Sequence, residues 1–191
     1  MKKLKNSELN RISIEEFKNS SKTPIKVILD NIRSAHNVGS IFRTCDAFLI
    51  DEIILCGITA SPPNKEIRKT ALGSSDSVKW SYFENSKEAI QELKKEKFQI
   101  ISIEQADKST KLEDFNVNSK KKYALIFGNE IKGVNQKLID MSDVVVEIPQ
   151  FGTKHSFNVS VSVGIVIWDF FSKIKANCCL LYTSPSPRDP M

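Results

Sequence analysis

The sequence predicts an α/β domain built on a mostly parallel sheet flanked by helices, and three observations carry that reading. Short apolar runs suited to strands alternate with helix-spaced segments along most of the chain, the pattern of parallel strands joined by helical crossovers. The 191 residues are 40% hydrophobic and 27% charged, enough for one domain with a sizeable core. No internal repeat is visible, which excludes a solenoid.

Taken in order, Ser13 and Glu16 make a Ser-x-x-Glu capping box, which predicts a short helix reaching Asn19. Thr23-Pro24 ends it, because the residue before a proline is pushed out of the helical region. Residues 26–29 read as a buried strand. Over 37–48, Val38, Ile41, Phe42, Cys45 and Phe48 are spaced like one face of a helix that opens near Asn37. Residues 52–56 predict a second strand, closed by Gly57, and 62–77 predict a loop with one turn of helix around Ile67. A short strand follows at 78–83, then an amphipathic helix at 86–97 with Ala89, Ile90 and Leu93 inward. Residues 98–103, 123–127 and 144–148 complete the strands. The segment from 156 to 167 is ambiguous. Polar and apolar residues alternate from 156 to 163, which argues for a strand, while the apolar continuation to Phe171 argues for a buried helix.

The net charge of +5 is uneven. Residues 1–24 hold six basic groups against three acidic ones, leaving +2 for 25–175. A basic front end suits a polyanion, although a solvated lysine-rich terminus has the same composition. No apolar run approaches the ~20 residues of a membrane span, and no apolar segment follows the basic start as a secretory signal requires. The four cysteines include no Cys-x-x-Cys pair, so no metal site is expected. Reduced thiols in a cytoplasmic protein are expected instead, with Cys56 a small buried hydrophobe. The division expected is a basic helical extension at 1–23, a catalytic domain at 24–175 and a non-native or disordered tail at 176–191.

Three polar clusters each follow a predicted strand, where ligands of open α/β sheets bind. In the first, Asp30 to Thr44, Arg43 lies just under two turns beyond Asn37, so one helix face is expected to present both. Gly39 between them is expected to permit close approach, and an arginine there suits bidentate phosphate binding. The same residues also fit a plain helix cap at Asn37 and a surface cation at Arg43. In the second, Gly128 and Gly133 flank Glu130, which suits a tight turn whose backbone approaches a ligand. Neither a dinucleotide fingerprint nor a phosphate loop is present. In the third, the strand ends at Ile148-Pro149, and Ser156, Asn158, Ser160 and Ser162 follow in an apolar setting. A His155–Ser156 hydrolytic pair is disfavoured, since no Gly-x-Ser-x-Gly elbow exists.

Together the clusters resemble the SpoU (TrmH-like) family of RNA ribose methyltransferases, within the SPOUT superfamily. Asn37, Gly39 and Arg43 match its first motif, and Gly128, Glu130 and Gly133 its second. Ile148, Pro149, Ser156, Asn158, Val159 and Ser160 match its third, with Phe157 in place of leucine. The likeness covers roughly 24–174. It implies a C-terminal trefoil knot, S-adenosylmethionine as cofactor, a homodimer, and methylation of a ribose 2′-hydroxyl in structured RNA, tRNA ahead of ribosomal RNA. It also makes 156–171 a helix.

On that resemblance Arg43, Asn37, Glu130, Ser156 and Asn158 are the catalytic set. Arg43 grips a phosphate beside the ribose, and Asn37 and Glu130 fix Arg43 and the nearby loops. Ile103, Glu104, Gly128, Gly133, Ile148, Ser156, Phe157 and Asn158 are the cofactor set, with Ile148 and Phe157 walling the adenine. Arg33, Arg43, Lys2, Lys3, Lys5 and Arg11 are the RNA contacts. A non-catalytic RNA-binding protein that retains the knot is the alternative from another class, and a nucleotide-using enzyme without a phosphate loop is the weaker third.

Overall fold

The computed structural model describes residues 1–182, with side chains to Asn177. Seven strands make one sheet: β1 (Thr23–Asp30), β2 (Ile50–Cys56), β3 (Trp80–Phe83), β4 (Phe98–Ile103), β5 (Thr110–Lys111), β6 (Lys122–Phe127) and β7 (Val144–Glu147). Their order is β3-β2-β1-β6-β4-β7-β5, and every neighbouring pair is parallel. Strands covered on both faces need apolar residues at successive positions. Val27, Ile28 and Leu29 meet that need in β1, as Leu125, Ile126 and Phe127 do in β6. Alternate residues feed two cores. Val27, Leu29 and Leu125 pack on one face, and Ile28, Ile54 and Ile126 on the other.

The helices are α1 (Ile14–Asn19), α2 (Ala35–Ala47), α3 (Lys65–Ala71), α4 (Ser74–Ser77), α5 (Ser86–Lys95), α6 (Gln136–Met141) and α7 (Val159–Tyr182). Residues of α2, α3 and α7 pack in the first core, and those of α5 and α6 in the second. The capping box of α1 forms as expected, with Ser13 Oγ accepting from the Glu16 N–H at 3.2 Å and Glu16 Oε2 from the Ser13 N–H at 2.7 Å. Phe17 is its buried anchor. The stretch expected to be mostly loop is helical over Lys65–Ala71, because Asn64 caps it by accepting from the N–H groups of Glu66 and Ile67. The two-residue β5 is too short to leave a periodic signal.

Three further expectations need correction. Helix α2 starts at Ala35 and its cap is Ser34, whose Oγ accepts from the Asn37 N–H at 3.3 Å; Asn37 is therefore inside the helix. Gly39 serves helix packing rather than ligand approach, since a Cβ there would strike Thr70 Oγ1 and the Ile67 carbonyl on α3. The ambiguous C-terminal segment is a helix, but it begins at Val159, so Ser156, Phe157 and Asn158 lie in the loop before it. Val159, Val163, Val166, Ile167 and Phe170 are buried while Val161 is 49% exposed, so the true burial period is helical.

Helix α7 lies against α2 on one side and the 112–117 segment on the other. Lys173 Nζ donates to the carbonyls of Leu112 at 2.7 Å and Phe115 at 3.0 Å, and Asn177 Nδ2 donates to the Val117 carbonyl at 2.6 Å. The helix continues past residue 175 to Tyr182. The remainder of the expected tail, 183–191, lies outside the described residues. Among the described residues no helix is long and apolar enough to cross a membrane.

Candidate active site

The C-terminal ends of β4, β6 and β7 open into a cleft of about 470 Å³. Its floor and walls combine Ile103, Glu104, Gly128, Gly133, Ile148 and Phe157 with Ser156 at the rim. Seven of the eight expected cofactor-contacting residues thus share one cavity. Asn158 does not line it.

The 128–134 turn is built from the main chain. Asn129 and Gly133 exchange backbone hydrogen bonds of 3.1 and 2.8 Å, and Asn129 Oδ1 accepts from the N–H groups of Ile131 and Lys132. Gly133 sits at φ +66°, where a side chain is strained, and a Cβ there would also strike the Glu104 carboxylate. Glu104 Oε2 accepts from the Val134 N–H at 2.8 Å and Oε1 from the Gln105 N–H at 2.9 Å. The Glu104 side chain therefore braces the turn while it lines the cleft.

Glu130 ties the second cluster to the first. Its carboxylate accepts from the Arg33 N–H at 2.9 Å, the Ser34 N–H at 3.0 Å and Asn37 Nδ2 at 3.2 Å, all at the opening of α2. Partial burial opposes ionisation, but bonds from the main-chain N–H groups of Arg33, Glu130 itself and Ser34, and from Asn37, outweigh it and hold the pKa below the usual carboxylate value. Asn37 Oδ1 in turn accepts from Asn158 Nδ2 at 3.2 Å. Asn158 Oδ1 accepts from the N–H and Oγ of Ser160, so it caps α7. One chain of side chains, Glu130 to Asn37 to Asn158, joins all three sequence clusters.

Arg43 stands apart. Six residues on an α-helix turn through about 600°, which leaves Arg43 and Asn37 roughly 120° apart rather than on one face. Arg43 is exposed, in a hollow with Ser40, Phe48, Lys69 and Leu72. Among the described residues it has no hydrogen-bond or ion-pair partner, so Glu130 and Asn37 fix the 31–34 turn and not Arg43 itself. Arg33 is exposed beside the cleft turn. Lys2, Lys3, Lys5 and Arg11 are exposed in the segment before α1. That helix leads into the start of β1 and contacts α4, at the opposite end of the sheet from the cleft.

Two contributors escaped the sequence reading. Gln105 Nε2 donates to the His155 carbonyl at 2.8 Å and holds the third loop against the end of β4. Asn129 Nδ2 donates to the Asn31 carbonyl at 2.8 Å and clamps the first turn to the second. An Asn between a glycine and a glutamate is the usual signal for such a side-chain turn; nothing in the sequence marks Gln105.

Residues 24–168 match the model of the SpoU rRNA Methylase family. A 23S rRNA (guanosine-2'-O-)-methyltransferase RlmB of Neisseria meningitidis is 31% identical over 159 residues, covering 83% of this chain and 62% of that protein. The chain thus spans less than two thirds of that relative's length. Among solved structures, the A. aeolicus TrmH/SpoU tRNA modifying enzyme superposes with a TM-score of 0.75 at 26% identity, covering 91% of this chain and 85% of that one. An AdoMet-bound rRNA methyltransferase from Sinorhizobium meliloti gives a TM-score of 0.72 at 25% identity, covering 81% and 59%.

Proposed function

The chain belongs to the SpoU rRNA methylase family, and on that premise we propose that it is an S-adenosylmethionine-dependent methyltransferase acting on a ribose 2′-hydroxyl of structured RNA. The observation that carries the reading is that the second and third motif clusters line one cleft, with the opening of α2 from the first cluster tied to them through Glu130, Asn37 and Asn158. The tRNA-modifying structural relative favours tRNA as substrate, and the Neisseria relative favours ribosomal RNA as the alternative for the same chemistry.

The cleft fits the cofactor. Its volume lies within the ~300–1,000 Å³ of small-ligand sites, and Ile103, Ile139, Ile148 and Phe157 give apolar walls for an adenine. Apart from the His155 carbonyl, the main-chain groups of 149–157 take no hydrogen-bond partner among the described residues. They are thus available to polar edges of a ligand. When bound, S-adenosylmethionine supplies an electrophilic sulfonium methyl. Gly128, Gly133 and Ser156 would hold it, and Phe157 would cover the face that leucine covers elsewhere in the family.

A ribose hydroxyl is a poor nucleophile until it is aligned and its proton drawn off. Arg43, whose guanidinium stays protonated, is a phosphate grip rather than a base. It orients the hydroxyl while a phosphate oxygen accepts the proton. Because Arg43 lies outside its own chain's cleft, it serves the cleft of a second copy in a homodimer. The exposed Val161 and Trp168 on α7, with Phe48 and Phe171 packed on Trp168 at 5.8 and 6.5 Å, support that face as the contact. The insertion of β6 between β1 and β4, and the packing of α7 against 112–117, are consistent with a trefoil knot. The basic extension 1–23 adds phosphate contacts, the domain occupies 24–175, and the enzyme works in the cytoplasm.

Calorimetry with S-adenosylmethionine and methyl transfer to tRNA, read as 2′-O-methyl nucleotides, test the reading. The expected result is binding by the wild type, and by an Arg43→Ala variant that no longer transfers methyl. Absence of cofactor binding by the wild type would overturn it, and full transfer by Arg43→Ala would overturn the role of Arg43.

A further inference from the structure

Behind the cofactor cleft lies a second groove of about 460 Å³. The two share one wall, the 129–133 turn, since Asn129, Ile131, Lys132 and Gly133 line both. Much of its floor is bonded internally. Asn31 Nδ2 donates to Asp30 Oδ1 at 2.9 Å, and Asn31 Oδ1 accepts from the Ile58 N–H at 3.2 Å. Asn129 spends its amide on the Asn31 carbonyl and its oxygen on Ile131 and Lys132. The buried Asp30 carboxylate is also bonded by Ser86 Oγ. What the groove offers a visitor is its rim: two exposed cations, Arg33 and Lys132, and two isoleucines, Ile58 at 66% and Ile131 at 73% exposure. Among the described residues neither cation has a carboxylate partner.

Resting on the methyltransferase reading above, we propose that this groove seats the RNA nucleotide adjacent to the one being methylated, with Arg33 and Lys132 on its flanking phosphates and Ile58 and Ile131 against its base. Two cations without acidic partners suit a phosphodiester. The neighbouring hollow, where Glu84 and Glu88 offset Lys87 and Lys137, lacks that excess charge. Exposed branched side chains suit the apolar face of a base. Phosphate contacts carry no sequence information, so a strand held by Arg33 and Lys132 is positioned without its sequence being read by them. Arg33 is well placed to register the strand, because its own N–H is held by Glu130 at 2.9 Å. A strand seated there is fixed relative to the cleft by a few bonds of rigid turn.

The test is the affinity of the full chain for a mixed-sequence oligoribonucleotide across a salt series, with S-adenosylmethionine affinity measured separately. Arg33→Glu and Ile58→Asp are used because neither residue lines the cofactor cleft. Lys95→Glu, on the outer face of α5, makes the same charge change elsewhere. Arg33→Glu should weaken RNA binding roughly tenfold and reduce the salt slope by about one. Ile58→Asp should weaken it as well, and Lys95→Glu should stay within about twofold. Cofactor affinity should be unchanged in all three. If Arg33→Glu loses no more than Lys95→Glu while the wild type still binds cofactor and methylates RNA, the groove assignment falls and the methyltransferase reading stands. If the wild type neither binds cofactor nor methylates RNA, both fall.

Discussion

The two ends of the sheet solve the problem of burying polar groups in opposite ways. Where the strands begin, charge is matched with charge. Lys26 Nζ lies 2.9 Å from Glu52 and 3.3 Å from Glu96, Lys79 lies 3.4 Å from Glu52, and the Lys26 and Glu52 side chains are about 10% and 6% exposed. Where the strands end, carboxylates are matched with main-chain N–H groups and an amide, Glu130 with Arg33, Ser34 and Asn37, and Glu104 with Val134 and Gln105. The first arrangement consumes its charges internally and leaves nothing for a ligand. The second uses two carboxylates and two asparagines to fix the turns, and among the described residues it leaves Arg33 and Lys132 without acidic partners beside the cleft. A closed ion cluster belongs to stability, and an amide network beside unpaired cations belongs to a site.

The comparison breaks most visibly at Glu52. Glu52→Ala strands Lys26 at a buried position with only Glu96 beside it. Removing one partner of a buried pair costs about 3–5 kcal/mol, and the surviving Glu96 contact places the expected loss near the lower figure. Urea unfolding reads the loss, while calorimetry on the folded variant should show cofactor affinity unchanged. A change in cofactor affinity would mean that the two ends are not separate.

Acid sharpens the contrast next. Burial raises the pKa of Glu52, but bonds from Lys26 and Ser81 and the charges of Lys26 and Lys79 outweigh it, and the net shift is downward, as it is for Glu130. A carboxylate whose folded pKa is depressed stabilises the protein above its unfolded value, 4.5 here, and that stability is lost as pH falls through the folded value. Stability should therefore decline on acidification below the ordinary carboxylate range. Glu52→Gln should flatten that decline more than Glu130→Gln, because Glu130 is partly exposed to solvent. At neutral pH Glu130→Gln turns an amide N–H toward backbone donors and should cost about 1–2 kcal/mol. Equal flattening by the two variants would erase the distinction drawn between the two ends.

How much of this was legible in the sequence follows from the same contrast. The strands could be read because a sheet covered on both faces demands unbroken apolar runs, as at Val27-Ile28-Leu29. The capping box of α1 could be read because its bonds span only three residues. The helix at Lys65 was read only as one turn around Ile67, because its signal is one asparagine in a stretch that composition marks as loop. The third cluster stayed ambiguous by period, since serines alternating with valines imitate a strand while only Val159 and Val163, four apart, reach the core. Ile103, Glu104, Gly128 and Ile148 gathered in one cleft because each sits at or next to a strand end, while Ser156 and Phe157 are brought there by the loop that follows β7. The pairing of Arg43 with Asn37 failed on helix geometry alone. The Lys26–Glu52 and Glu130–Asn37–Asn158 contacts join segments far apart in the chain, and no local pattern announces them.

The smallest effect tests the finest claim, that Asn37 and Asn158 couple two clusters rather than act separately, one on Glu130 and the other as the cap of α7. Asn158→Ala removes the cap of α7, which costs about 1 kcal/mol, and frees Asn37 Oδ1. Asn37→Ala leaves Glu130 with its two main-chain donors. Were the two asparagines independent, the double variant would lose the sum of the single losses. Contact at 3.2 Å predicts a smaller loss than that sum, by about 0.5 kcal/mol. The bond is exposed, so water offsets much of it, and the coupling should grow when a ligand covers the cleft rim. Repeating the cycle with saturating S-adenosylmethionine separates a mere surface bond, whose coupling stays the same, from a brace that holds α2 to α7 while the site is occupied.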